Sequence, residues 1–195
     1  MKLKENLKRF WQFLQGNSLA SWIVSLILVF LFVKFIFFPM LSLLLQTKLP
    51  LVVVESESMH HSGSFFGNLF VAQNNFEKWW QERGGWYEER GIEKKDAEKW
   101  PFRTGFDEGD IIVVYGDENP EVGDVIIFNA EQRHPVIHRI VKIHDRTYST
   151  KGDNNIDQIY FEKSISQDVL IGKAVFRIPK LGWIKLVFAR VFGMS

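Results

Sequence analysis

The sequence predicts a mainly β protein, in which an antiparallel β barrel or sandwich with a small helical insert follows one N-terminal transmembrane helix. The apolar stretch at residues 19–45 exceeds the ~20 residues that are needed to cross a bilayer. From residue 110 onward, the hydrophobic pattern changes to a period of two between clusters of Gly, Asp, Asn and Pro. Such a pattern is typical of short strands that are joined by turns.

The N-terminal region has the charge pattern of a membrane anchor. Residues 1–18 carry four basic side chains, whereas only Lys48 follows the apolar stretch closely. Because Lys and Arg are enriched on the cytoplasmic side, we expect a cytoplasmic N-terminus, a cell-membrane anchor at 19–46 and an extracytoplasmic domain at 47–180. A cleaved signal sequence fits less well, since its apolar region has only ~7–15 residues. Lys34, inside the stretch, is expected to snorkel to an interface or to face a partner helix.

The pattern of the outer domain predicts its strands. A first β-branched strand covers residues 52–54. Five further strands are expected at residues 110–115, 124–129, 136–144, 147–151 and 170–178. Several of them are apolar on both faces, which favours a closed or sandwiched sheet.

An insert at residues 65–106 interrupts the strands and is rich in aromatic and charged side chains. Phe76, Trp79 and Trp80 are spaced to share one face of a helix, which the glycines at 84–85 are expected to end. A second helical piece is expected at 92–100. The aromatic residues either pack within the insert or lie at the membrane interface.

The C-terminal stretch, residues 181–195, is apolar and contains two basic residues. With ~14 apolar residues it is short for a span, so we favour an interfacial helix over a second membrane crossing.

The composition excludes several classes of protein. Lys+Arg 24 against Asp+Glu 23 gives no basic excess for a nucleic-acid partner. Without cysteine the chain has no disulfide, thiol nucleophile or thiolate metal site. The five histidines follow no metal-ligand spacing, so we expect neither a metal nor another cofactor.

Two serines follow the first strand, which consists of Val52, Val53 and Val54. In an extended chain, residues i and i+2 point to the same side, so Ser56 and Ser58 are able to approach one substrate carbonyl together. One serine would attack it and the other would help to stabilise the oxyanion. The alternative is an ordinary polar turn after a strand.

His138 lies within an otherwise apolar predicted strand, where it is either a hydrogen-bonded core residue or a general base. A hairpin around residues 145–146 would return the loop that contains Asp153 and Asp157 towards this histidine. A carboxylate there would fix the imidazole tautomer that accepts a serine proton. Alternatively, the loop is simply a turn.

Five ordered stretches of the chain resemble the conserved boxes of type I signal peptidases. They are SESM at 56–59, GDIIV at 109–113, GDVIIF at 123–128, VIHRIV at 136–141 and TKGDNN at 150–155. The histidine at 138, where the bacterial enzymes have a lysine, is similar to the archaeal and endoplasmic-reticulum branch.

This resemblance implies a signal peptidase fold and a membrane-bound serine endopeptidase that removes signal peptides from exported preproteins after small residues. It implies that Ser58 is the nucleophile and His138 the general base. Either Asp153 or Asp157 would orient the histidine. Ser56 and the N–H of Ser58 would form the oxyanion hole.

The implied partners are exported preproteins, the translocation machinery and the lipid bilayer. An extended preprotein segment would pair with the strand of Val52, Val53 and Val54. The alternative function is a non-catalytic, membrane-anchored β domain that binds exported or envelope proteins without cleaving them.

Overall fold

The computed structural model describes residues 2–61, 72–116 and 119–193, and leaves the side chains of 72–75 undescribed. Two compact units divide the chain, Met1–Leu44 and Leu45–Ser195. Of the insert proposed at 65–106, residues 65–71 lie outside the described part.

The first unit is helical. It consists of α1 (Lys2–Leu14), α2 (Leu19–Phe32), a π-helical turn (Val33–Phe37) and α3 (Phe38–Leu44). The hydroxyl of Ser18 accepts the Ser21 N–H at 3.1 Å and so caps the start of α2. Pro39 cannot donate a backbone hydrogen bond, and the Phe38 N–H just before it bonds five residues back, to the Val33 carbonyl.

From Leu19–Leu44 the helix is continuous for 26 residues, which corresponds to ~39 Å at 1.5 Å per residue. The predicted apolar helix is therefore present and is long enough to cross a membrane. The Lys34 ammonium lies 5.4 Å from the centre of the Phe35 ring.

The second unit contains a seven-stranded antiparallel sheet that is curled into a half-barrel. The sheet order is β1-β2-β7-β3-β4-β5-β6. The strands are β1 (Leu51–Val53), β2 (Ile111–Tyr115), β3 (Val125–Phe128), β4 (Val136–His144), β5 (Thr147–Lys151), β6 (Ile165–Ser166) and β7 (Leu170–Ile178).

This architecture confirms the coarse prediction of a mainly β domain behind an N-terminal apolar helix. All the predicted strands are present within one or two residues of their expected ends. Only β6 was missed, because two residues are too few to show a period.

Strand β3 explains why the core has two sides. All four of its residues are buried: Val125 and Ile127 pack with Val52, Val54 and Phe106. Their neighbours on β3 face the opposite side, towards Ile140, Tyr148 and Phe161. A strand that is covered on both faces has an uninterrupted apolar sequence.

The insert forms α4 (Ala72–Glu88) and the short α5 (Lys94–Ala97). The prediction that the glycines at 84–85 end the first helix was wrong. Gly84 lies inside α4, where the Trp80 ring packs so closely that a Cβ at this position would come within 2.7 Å of it. Close packing of the tryptophan therefore outweighs the low helix propensity of glycine.

The aromatic side chains of the insert that are described pack into a core of their own. Phe76, Trp79, Trp80 and Trp100 are buried with Tyr87 and Val141. Of the two alternatives for these residues, packing within the domain is the observed one. Residues at a membrane interface would have their rings exposed.

After β7, the helix α6 (Trp183–Val191) follows. Its nine residues extend ~14 Å, which is less than the ~30 Å of a bilayer core. Leu186 is buried, whereas Ile184, Phe188 and Val191 are exposed. Lys185 Nζ binds the Glu55 carboxylate at 2.9 Å.

Candidate active site

The two serines lie in a turn that follows β1. The strand ends at Val53, and residues 56–59 form a bend and a turn. A hydrogen bond of 3.0 Å from the His60 N–H to the Glu57 carbonyl closes this turn. The hydroxyl oxygens of Ser56 and Ser58 lie 3.2 Å apart. The pairing expected from an extended chain is thus present, but a turn produces it rather than strand alternation.

Contacts on both sides of this turn hold it in place. Met59 is buried in the core beside Val54, and its carbonyl accepts the Phe106 N–H at 2.8 Å. The carbonyl of Ser58 accepts the Asn154 N–H at 2.8 Å. The side-chain amide of Asn154 donates to the Glu57 carbonyl at 3.1 Å. The serine turn is therefore bound directly to the loop that follows β5.

His138 lies on β4, paired with Ile126 of β3, and is almost fully buried. Arg139 of β4 pairs with Lys151 of β5. Because these strands are antiparallel, the next residue after Lys151, Gly152, lies opposite His138. A Cβ at Gly152 would come within 2.9 Å of His138 Nε2. The imidazole therefore uses the space that the glycine leaves open.

The other ring nitrogen faces a buried carboxylate. His138 Nδ1 lies 2.5 Å from Oε1 of Glu162, although the pair falls outside hydrogen-bond geometry. The same oxygen accepts the Gly152 N–H at 3.0 Å, and Oε2 accepts the Ile159 N–H at 2.5 Å. Glu162, in a 3₁₀ turn (Tyr160–Glu162), is fully buried. Sequence reasoning missed it, since nothing in the irregular segment after 155 singles it out.

Asp153, one of the two predicted acids, binds other partners. Arg139 donates to both of its oxygens, at 2.9 Å from Nε and 2.7 Å from Nη2, and His61 Nε2 lies 3.0 Å from Oδ2. Burial by itself would raise the pKa of Asp153. The Arg139 charge and the hydrogen bonds from His61 and Arg139 outweigh it, so the pKa lies well below the usual range.

Asp157, the second predicted acid, is exposed. Its Oδ1 accepts the Trp86 indole N–H at 2.7 Å and the Gln158 N–H at 2.8 Å. The bond from Trp86 is the main cause that lowers the pKa of this carboxyl. The described contacts of both aspartates thus lead to groups other than His138.

Lys151 precedes the loop and is buried. Its Nζ donates to the carbonyls of Gly152 at 3.1 Å and Asn155 at 2.7 Å, so it braces the turn. Burial lowers the pKa of Lys151 to about 8, against the opposing attraction of Asp153 and Glu162.

Helix α4 supports the same loop from outside the sheet. Trp79 Nε1 donates to the Asp153 carbonyl at 2.8 Å, and Arg83 Nε donates to the Asn154 carbonyl at 3.2 Å. Together with the Trp86 bond to Asp157, these contacts give the insert a role that sequence reasoning left open.

Strand β1 lies at one edge of the described sheet and pairs with β2. Val52 and Val54 point into the core, whereas Val53 is half-buried. The predicted docking strand therefore has one backbone edge that no other described strand occupies.

The histidines are dispersed rather than clustered. Four of them each contact a different carboxylate: His60 that of Asp107, His61 that of Asp153, His134 that of Glu55 and His138 that of Glu162. Within the described ranges, no group of three or more potential metal ligands occurs.

Comparisons with known proteins leave the family open. No protein-family model matches the chain, and no curated protein matches it significantly.

Proposed function

We propose that this chain is a membrane-anchored serine hydrolase in which Ser58 is the nucleophile and His138 the general base. One observation carries the proposal: a single short loop contacts both residues. Gly152 lies against Nε2 of His138, and two residues later Asn154 binds the backbone of Ser58. A histidine that is oriented by a carboxylate and is able to take a proton from a serine is the usual machinery of acyl transfer.

More specifically, we propose a type I signal peptidase of the archaeal and endoplasmic-reticulum type, which removes signal peptides from exported preproteins. The five ordered sequence boxes support this assignment. So does the apolar helix Leu19–Leu44, which is long enough to anchor the domain at the extracytoplasmic face of the cell membrane.

In the proposed reaction, the Ser58 hydroxyl attacks the scissile carbonyl while its proton passes to Nε2 of His138. The histidine then gives this proton to the leaving amine, and an acyl ester with Ser58 remains. Water, deprotonated by the same nitrogen, releases the acyl group. The Ser56 hydroxyl, 3.2 Å from that of Ser58, and the Ser58 N–H stabilise the oxyanion by ~3 kcal/mol or more.

The proposed substrate is an extended segment that pairs with the open edge of β1. Pairing would bring its scissile bond towards residues 56–58, which follow the strand directly. Along the chain, β1 begins seven residues after Leu44, where the apolar helix ends, and the serine turn follows β1. The exposed apolar side of α6 would add contact with the lipid bilayer.

The decisive experiment is cleavage of a reporter preprotein by the full chain in detergent micelles. We expect Ser58→Ala and His138→Ala each to lower kcat by ~10³ to 10⁶, with little further loss in the double variant, because the two groups act as a unit. The matched controls Ser164→Ala and His144→Ala change exposed residues and should keep the activity.

The alternative is a β domain that binds exported proteins without cleaving them. In that case folded wild-type protein would bind the reporter but leave it intact, and an acylating serine probe would not label Ser58. A lysine as base would make a third outcome: Lys151→Met, rather than His138→Ala, would abolish cleavage.

A further inference from the structure

Glu162 is a fully buried carboxylate at the end of the 3₁₀ turn Tyr160–Glu162. Neither of its oxygens reaches solvent, and both accept backbone N–H groups, from Gly152 and Ile159. Within the described residues, His138 is the side chain at ion-pair distance from it, at 2.5 Å. A buried carboxylate needs such partners, because burial of an unpaired charge is very unfavourable.

The two aspartates that the sequence indicated are occupied elsewhere. The charge of Asp153 is neutralised by the bidentate contact with Arg139, itself fully buried. Asp157 is exposed to water and binds Trp86. A carboxylate that already faces a guanidinium or the solvent has little effect on an imidazole beyond it.

We propose that Glu162, rather than Asp153 or Asp157, is the positioning residue that orients His138. This inference rests on the proposed function and names the third member of its catalytic group. In this role the His138 Nδ1–H would donate to Oε1 of Glu162 once the contact is aligned, which leaves Nε2 unprotonated on the side of Gly152. No proton is transferred to Glu162; its charge stabilises the imidazolium that forms when His138 accepts the Ser58 proton.

Glu162 also positions the residue opposite the imidazole. Oε1 accepts the Gly152 N–H as well as facing Nδ1, so one oxygen links the histidine to the backbone that packs against its other nitrogen. This double contact fixes the ring from both sides. In the free protein the Nδ1 contact is poorly aligned, and such bonds commonly tighten when substrate is bound.

The first test is the tautomer of His138, read by ¹⁵N NMR of histidine-labelled full-length protein in micelles and assigned with His138→Gln. The wild type should show the Nδ1–H form. In Glu162→Gln the amide is able to donate to Nδ1, so the Nε2–H form should gain population. An unchanged tautomer in this variant would overturn the proposal, whether or not the protein cleaves preproteins.

The second test is kinetic. Glu162→Gln should lower kcat ~10²- to 10⁴-fold and leave KM within about threefold, since an orienting carboxylate acts mainly on the transition state. Glu162→Asp, which keeps the charge, should recover part of the rate.

The controls separate orientation from folding. The other buried charges of this loop already have structural partners: Lys151 donates to two carbonyls, and Asp153 is paired with Arg139 and His61. The exposed Asp157 is therefore the control. Asp157→Asn should keep kcat within about threefold. If Asp157→Asn instead gives the large loss in kcat while Glu162→Gln is active, Asp157 is the orienting acid. A wild type without any cleavage would reject the proposed function but leave the tautomer test valid.

Discussion

Two buried histidines, His61 and His138, each contact a buried carboxylate, but their surroundings differ. His61 Nε2 lies 3.0 Å from Asp153, and its ring stacks on Trp79 with centroids 4.3 Å apart. His138 Nδ1 lies 2.5 Å from Glu162, and its other nitrogen faces a glycine. The first carboxylate also binds Arg139, whereas the described contacts of the second are two backbone N–H groups and the histidine.

The arginine changes what each pair is able to do. Burial lowers the pKa of His61, even though Asp153 favours its proton, and the nearby Arg139 charge acts in the same direction as burial. A neutral, stacked imidazole of this kind holds structure together. Among the described contacts of Glu162 there is no arginine, and its Oε1 faces the imidazole of His138 directly. The comparison teaches that the neighbours of a histidine–acid contact decide its role.

Removal of the arginine should have the largest effect. Arg139→Met leaves the Asp153 charge buried without its cation, and we expect the free energy of unfolding to fall by ~3–5 kcal/mol. Chemical denaturation of the full chain in micelles measures this loss. Addition of Asp153→Asn should recover part of it, and the exposed control Arg133→Ala should change stability little. A loss below ~1 kcal/mol in Arg139→Met would contradict the assigned role.

A substitution opposite His138 should affect activity more than stability. In Gly152→Ala the new Cβ would approach Asn155 Nδ2 to 2.6 Å and His138 Nε2 to 2.9 Å, so both side chains must shift, and we expect kcat to fall at least ~10-fold. Gly85→Ala is the matched control, because nothing lies within 4 Å of its Cβ position in α4. This control should keep full activity and gain ~0.5–1 kcal/mol of stability. Equal activity of both variants would mean that the imidazole does not depend on Gly152.

The smallest expected effect is on the pH dependence of stability, to which the neighbouring His60 and His61 should contribute with opposite signs. Because the pKa of His61 is lowered by burial, the unfolded state binds its proton more readily, and stability is lost as the pH falls below ~6.5. The hydrogen bond to Asp107 raises the pKa of His60, so its contribution is present at low pH and is lost as the pH rises.

Thermal unfolding at pH 5 and pH 7.5 separates the two. His61→Gln keeps a donor for Asp153 but does not titrate, so its Tm should depend less on acidification than that of the wild type. His60→Gln should show the reverse, with a larger drop at pH 5. Changes in the same direction for both variants would contradict the assignment of a neutral His61.

The strands could be predicted from sequence because short runs of β-branched and apolar residues between turn-forming residues are local features, as in β2 and β3. The helix of Phe76, Trp79 and Trp80 was predicted as well, but its end was not, since the packing of Trp80 against Gly84 inside α4 is a feature of the folded chain. The serine pair and His138 were indicated by their positions at a strand end and in an apolar strand. Arg139 gave an unused signal, because a cation inside an apolar strand needs a buried anion.

The sequence alone indicated the apolar N-terminal helix and the mainly antiparallel β domain, because hydrophobic period and composition are local properties. The choice of Ser58 and His138 came from the resemblance of the five ordered stretches to signal peptidases. Only the tertiary structure decided which acid faces which histidine. Asp153, Asp157 and Glu162 all lie within ten residues, and no local pattern shows which of them faces His138. Their side-chain partners come from β4, α4 and His61, and long-range packing gives Asp153 an arginine, Asp157 the Trp86 indole at the surface and Glu162 the imidazole of His138.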